Sequence, residues 1–401
     1  MSVIMRLKNI FSILYAYLGA VFFHLPHEGA FGKCSTFPIP KNVCFVFGRV
    51  LFQINLHQTI QCYRNGNPFI IFHFHLVDLH PAVTIAGNVP YWIFRRLEEM
   101  EELFGWFLKK DTRYVLFLQP DGRGDPVFMA VSREIPRFLH DSLWDRGFPS
   151  ILTSGTLKAG NGFVRTRQMT GLEKKSRVRE CVAESPFCYR ENCLLYIPEN
   201  LKATLKGSRE EAEQLAGQIR DLVCSTFGHT LVLFTSYTLM GNVQQLLRDQ
   251  IPFPMVQVWR NSQEEIARFK KMENAVLFAA GSCWEGVDFP GDMVSSLIIV
   301  KLPFAVPDPI HEAQREQYRS LESYIQNVVV PDMQKKLRQG FGRAIRTEQD
   351  TCVVSILDHR AAKKGKYRGD VLDALPKCQM AEKIDEVEDF IRSRKVERYY
   401  S

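Results

Sequence analysis

The sequence predicts an α/β protein: a parallel sheet with helices on both faces, preceded by an irregular N-terminal segment. Three observations carry that reading. From Asn192 onward, short runs of continuous apolar residues alternate with stretches of helical periodicity. Strands that are apolar at every position have no solvent face, as in a parallel sheet covered on both sides. Charge is also unevenly spread: residues 1–90 hold six Lys/Arg and two acids, while residues 91–401 hold the other 45 basic and 42 acidic residues.

The elements follow in order. Leu97, Met100, Phe104, Phe107 and Leu108 recur at helical spacing, and residues 112–121 then read as a strand. Ile135 to Leu143 is predicted helical, and Pro149 to Leu157 a short buried strand ending in a Thr/Ser turn. A polar stretch from Arg165 to Glu184 separates these from Asn192 to Ile197, the first strand of the regular alternation. Ser208 with Glu211 forms a capping box that opens a helix, which stops near Gly228. Strands are predicted at 230–234, 255–258, 275–279, 297–300 and 352–357. Helices are predicted at 239–247, 264–271, 310–328 and 331–345.

Composition excludes some classes. Apolar residues at 46% and charged residues at 24% are globular values. The net charge of +7 splits into +4 from residues 1–90 and +3 from the rest, so the larger part is nearly neutral and charge alone does not argue for a nucleic-acid partner. Ten scattered cysteines without a C-x-x-C pair read as free thiols in a reducing, cytoplasmic setting. Ile10 to Leu25 is apolar but shorter than the ~20 residues of a membrane span, so no stable membrane association is expected. His73 and His75 would share a strand face, yet no further ligand set completes a metal site. With few acids and no lasting periodicity, residues 1–90 resemble a stretch read from another frame.

In a sheet of this kind, function is expected at the carboxyl ends of strands. Thr235, Ser236 and Tyr237 place hydroxyls at a strand–helix junction, suited to helix capping or to a phosphate contact. Ser282, Glu285, Gly286 and Asp288 lie in a glycine-punctuated loop. Gln339, Gly342, Arg343 and Arg346 end the helix before the last strand, and the spacing of the two arginines puts them on one helical face.

Together these segments resemble the DinG/XPD-type branch of superfamily 2 helicases, over roughly residues 91–376. Thr153-Ser154-Gly155-Thr156-Leu157 resembles the TSATL motif, with Gly for Ala. Phe234 to Tyr237 resembles motif IV, Trp284 to Gly291 motif V, and Gln339 to Arg346 the QxxGRxxR form of motif VI. Lys301 to Phe304 with Pro307 to Pro309, and Leu357 to Arg360, match the family's flanking segments. The resemblance implies a RecA-like fold and ATP-dependent DNA unwinding in a DNA-repair setting, with ATP and Mg2+ as cofactors and single-stranded DNA as partner. It implies that Arg346 and Arg343 act at the γ-phosphate, and that Gln339, Gly286, Asp288 and Gly342 lie toward ATP. Thr235, Ser236, Tyr237, Ser282 and Glu285 would face nucleic acid, with Tyr237 or Trp284 stacking bases, while Thr153, Ser154 and Thr156 would couple the motor domains. The implied domains are an atypical segment 1–90, the end of a first motor domain 91–160, a second RecA-like domain 161–380 and a tail 381–401.

No G-x-x-x-x-G-K-[ST] string occurs in the sequence, and no DEAH-like acid pair precedes Thr153. The expectation is therefore a helicase C-terminal half that neither holds ATP and Mg2+ tightly nor hydrolyses ATP alone. The alternatives are a non-enzymatic single-stranded DNA-binding or regulatory module, or one chain of a split helicase whose partner supplies the first motor domain.

Overall fold

A computed structural model describes residues 2–6, 42–47, 50–64, 67–76 and 91–400, apart from 160–161, 174–176, 260–262, 285–286 and 290. The readings made for Ile10 to Leu25, Glu285 and Gly286 lie outside the described residues. The chain divides into two compact units, residues 2–131 and 132–401.

The first unit contains β1 (Ser2–Arg6), β2 (Asn42–Phe47), β3 (Val50–Arg64), β4 (Asn67–Leu76), α1 (Tyr91–Lys109), β5 (Tyr114–Pro120) and β6 (Pro126–Ser132). Strands β2, β3 and β4 form an antiparallel sheet, and β1 pairs antiparallel with β6. Helix α1 and strand β5 occur where periodicity places them. Leu103 of α1 is fully buried, and Phe104 and Phe107 each meet Phe128 edge-on at 5.2 Å. Strand β6 was not predicted. It is joined to β5 by a tight turn in which Gly124, at φ +85°, donates its N–H to the Asp121 carbonyl.

The second unit is built on seven strands: β7 (Cys193–Tyr196), β8 (Thr230–Phe234), β9 (Met255–Val258), β10 (Val276–Ala280), β11 (Ser296–Ile299), β12 (Cys352–Ile356) and β13 (Gln379–Ala381). Their order is β13-β7-β12-β11-β8-β10-β9, and every neighbouring pair is parallel. Its helices are α2 (Ile135–Leu139), α3 (Val164–Thr170), α4 (Tyr189–Asn192), α5 (Arg209–Ser225), α6 (Tyr237–Leu247), α7 (Gln263–Phe269), α8 (Pro309–Arg315), α9 (Leu321–Tyr324), α10 (Val330–Phe341), α11 (Arg368–Ala374) and α12 (Ile384–Arg394). Alternate strand residues feed two cores. Leu231, Leu233, Leu277, Ile299 and Val354 pack with α7, α10 and α11, while Val232, Phe234, Phe278 and Ile298 pack with α5, α6 and α12. This accounts for the continuous apolar runs, since both strand faces are covered.

Four expectations are corrected. The segment from Pro149 to Leu157 is not a strand, and Ile151 is 91% exposed. A strand needs a hydrogen-bonding neighbour, and no described strand of this unit pairs with it. The helix expected over 310–328 is broken into α8, α9 and a π-turn that runs into α10, because Asp308 and Ser320 each cap a separate start. The helix expected to reach Ile345 stops at Phe341, where the Gly342 N–H still bonds Arg338 but the chain then turns. At α5, Ser208 caps Glu211 N as predicted, whereas the Glu211 carboxylate accepts from Gly207 rather than from Ser208.

Candidate functional site

Strand register brings the carboxyl ends of β8 and β10 side by side, with Phe234 beside Ala280. Thr235 is exposed immediately beyond β8. Ser236 is the N-cap of α6, its Oγ accepting from Leu239 N at 3.4 Å, so its hydroxyl serves the helix. The Tyr237 hydroxyl donates to the Ala280 carbonyl at 3.4 Å. Gly281 has φ +64°, and a Cβ there would lie 2.6 Å from the Tyr237 hydroxyl, so both conformation and space require glycine. Trp259, just past β9, stacks on Tyr237 at 5.7 Å and 15° and is 49% exposed. It had no signal in the sequence, being one aromatic residue after a short strand.

From Gly281 the chain crosses back over the sheet to reach β11. Trp284 anchors this crossover: it is buried, and its indole N–H donates to the Phe234 carbonyl at 2.9 Å. Opposite it lies Gly340 of α10, where a Cβ would sit 2.8 and 2.9 Å from the Trp284 ring. Trp284 is therefore a packing residue and offers no face to a base. Buried Phe289 anchors the far side of the crossover against Phe269 at 5.6 Å. The exposed Asp288 lies between these anchors, and Ser282 is in the 3-10 turn Gly281–Trp284.

Arg343 and Arg346 come together by a different route from the one predicted. They follow α10 instead of sharing one of its faces, and both are fastened to the crossover. Arg343 Nη1 donates to the Val287 carbonyl, and Arg346 Nε lies 2.8 Å from Asp288 Oδ1. That N–H is not aimed at the carboxylate, so the contact is an ion pair more than a directed hydrogen bond. Buried Asp350 pins the base of Arg346: Oδ2 accepts from Arg346 N and Thr347 N at 2.8 Å, and Oδ1 accepts from the Thr347 hydroxyl. Sequence reasoning missed Asp350 because its partners are mostly backbone groups.

The arginines do not lie at the carboxyl edge where the sequence placed the chemistry. Helix α10 precedes a parallel strand, so its last turn heads back toward the amino ends. Accordingly, the Asn192 side chain, next to the start of β7, donates to the Glu348 carbonyl at 2.8 Å. The structure thus separates an aromatic and hydroxyl cluster at the carboxyl edge from an arginine cluster beyond α10, with the crossover joining them. Gln339 and Gly342 flank the second cluster, half-buried.

Other motif residues brace this frame. Lys301 pairs with buried Glu211, and Asp358 accepts from Leu302 N at 2.8 Å while pairing with Arg360 at 2.7 Å. Burial raises the Asp358 pKa, but the Arg360 hydrogen bonds and charge and the Leu302 N–H outweigh it and hold the carboxyl below its ordinary value. Thr153 and Ser154 lie on an exposed loop in which Ser154 Oγ meets Thr156 Oγ1 at 3.2 Å.

The arginine cluster has the charge to meet a phosphate. Its described carboxylates do not suit a metal, because Asp350 is spent on N–H and O–H donors and Asp288 faces Arg346. Among the described residues the one group close enough to share an ion is His140, Asp141 and Asp145, at the α2 end of the unit.

Comparison with known proteins defines the class. The family described as Helicase C-terminal domain matches residues 219–378, which include the crossover and both arginines. The chain is 33% identical to the ATP-dependent DNA helicase DinG of Photobacterium profundum over 308 residues, covering 70% of this chain and 42% of that protein. It is 31% identical to the 3'-5' exonuclease DinG of Bacillus subtilis, covering 72% and 32% respectively. An XPD helicase structure is 18% identical with a TM-score of 0.48, covering 75% of this chain and 57% of that one. The chain carries a helicase C-terminal domain like that of the DinG helicases. It spans roughly a third to two fifths of the length of these DinG relatives. Among the described residues, no helix is long and apolar enough to cross a membrane.

Proposed function

We propose that this chain supplies the second motor half of a DinG-like ATP-dependent DNA helicase, and that it does not hydrolyse ATP alone. The observation that carries the reading is the fastening of Arg343 and Arg346 to one short stretch, Val287-Asp288. The Arg346 backbone is fixed by Asp350, while its side chain is 33% exposed and paired with a carboxylate that is itself 65% exposed. A nucleotide phosphate carries more negative charge than one carboxylate, so it draws Arg346 from Asp288 while the backbone stays in place. Positive charge held there stabilises the charge that builds up during phosphoryl transfer. The crossover carries that change to Gly281 and Tyr237, beside Thr235 and Ser236, which meet the backbone of single-stranded DNA. ATP binding and hydrolysis need a phosphate-cradling loop and a metal-holding acid, and neither motif occurs in this sequence.

Phosphate release from ATP, measured with and without single-stranded DNA, tests the reading. The chain alone is expected to release none. DNA-stimulated release abolished by Arg346→Ala would overturn the claim that it cannot hydrolyse ATP alone.

A second reading, in which a separate chain supplies the phosphate-binding half, is favoured by Phe148, Ile151 and Leu152. These are 73%, 91% and 46% exposed within five residues, which is apolar surface that a partner would cover. Co-purification of a protein bearing the missing loop, with activity restored on mixing, is the expected result.

A further inference from the structure

We propose that Trp259, backed by Tyr237, is a base-stacking platform for single-stranded nucleic acid at the carboxyl edge of the sheet. This rests on the nucleic-acid reading above and assigns it a residue that no motif contains. Tyr237 and Trp259 lie nearly parallel, 15° apart with centroids at 5.7 Å. Tyr237 is held from behind by its bond to the Ala280 carbonyl and by Gly281, whose missing Cβ makes room for the hydroxyl. The indole edge lies over Gly241, one turn into α6, where an added Cβ would be 3.8 Å away. The indole is thus positioned by its neighbours, yet about half of it remains open to water. Burying the exposed indole against a nucleobase removes apolar surface from water, and a planar partner continues the stack. Every base has such a face, so the platform tolerates any sequence. Trp284, the other aromatic candidate, is buried and serves packing instead.

The test is fluorescence anisotropy at low salt with a labelled oligothymidylate and a strand of equal length whose sugars lack bases. Wild type is expected to bind the base-bearing strand about ten-fold more tightly. Trp259→Ala should erase that preference while leaving affinity for the abasic strand unchanged, and Trp259→Phe should retain part of it. Circular dichroism melting of both variants checks that they fold, and the half-exposed site makes an unchanged midpoint the expected result. Equal affinity of wild type for the two strands, or an unchanged preference in Trp259→Ala, overturns the platform while the DNA reading stands. Failure of wild type to bind either strand overturns both.

Discussion

At the scale of single residues, the arginine cluster separates a partly exposed side chain from the buried group that holds its backbone. The Arg346 side chain shares an ion pair with a largely exposed partner, and such pairs contribute at most about 1 kcal/mol to stability. Arg346→Ala should therefore melt close to wild type in a urea titration, while abolishing any contribution to ATP turnover in a reconstituted enzyme. Asp350 should behave in the opposite way. Asp350→Ala removes the buried acceptor, 8% exposed, that the part-buried Arg346 and Thr347 N–H groups and the Thr347 hydroxyl share. A loss of about 1–3 kcal/mol is expected in the same titration. Asp350→Asn, which keeps a carbonyl acceptor, should lose less. Gly340→Ala puts a methyl group 2.8 Å from the Trp284 ring, so it should cost about 1–3 kcal/mol by overpacking although alanine is the better helix former.

At the scale of elements, the C-terminal turn Glu397–Tyr400, which follows α12, covers the amino end of β8 through aromatic contacts. His229 stacks on Tyr399 at 4.1 Å and 17°, its Nε2 lies 3.3 Å from the Tyr399 carbonyl, and the Tyr399 hydroxyl donates to the Thr226 carbonyl. Burial lowers the His229 pKa below its ordinary 6.5, and bonds to Tyr399 and Asp292 only partly oppose this. The folded protein therefore keeps the imidazole neutral where the unfolded chain would protonate it. The stabilisation is complete above about pH 6.5 and is lost as pH falls from there through the lowered folded value. Urea midpoints at pH 7.5 and 5.5 should differ less in His229→Phe, which keeps the stack without the titration. An equal drop in both proteins would place the acid sensitivity elsewhere. The sequence showed the central strands because burial on both faces leaves unbroken apolar runs such as Leu231 to Phe234. It did not show β13, a three-residue strand with only Ala381 buried. The end of α10 was also hidden, since helical spacing continues through Arg346 after the helix itself has stopped. Trp259 and Asp350 were missed for a related reason: their importance comes from neighbours distant in sequence or from backbone groups, which no local pattern records.

For the whole molecule, the question is where the helicase C-terminal domain ends. The family match stops at residue 378, but the sheet and its cover do not. Strand β13 pairs with β7 through Gln379 to Ala381, and Ile197 N donates to the Ala381 carbonyl. Val387, Phe390 and Ile391 of α12 belong to the core that holds Leu194, Tyr196 and Val353. Lys395 reaches back to Asp292 and to the Thr351 carbonyl, tying the tail to the start of β11 and β12. Removing residues 379–401 would uncover the apolar face of β7 and deprive one half of the sheet of its helix. Each large buried side chain so exposed forfeits about 1.5–3 kcal/mol, and three are lost from α12 alone, an amount comparable with the net stability of many domains. A chain ending at residue 378 should therefore show a broad or absent thermal transition and bind a hydrophobic dye, whereas the full chain melts cooperatively. A truncated chain that melted as sharply as the full one would make residues 379–401 an accessory and leave the matched segment as the folding unit. If the truncated chain fails, the tail is part of the folding unit, and residues 219–378 alone would be too short to fold.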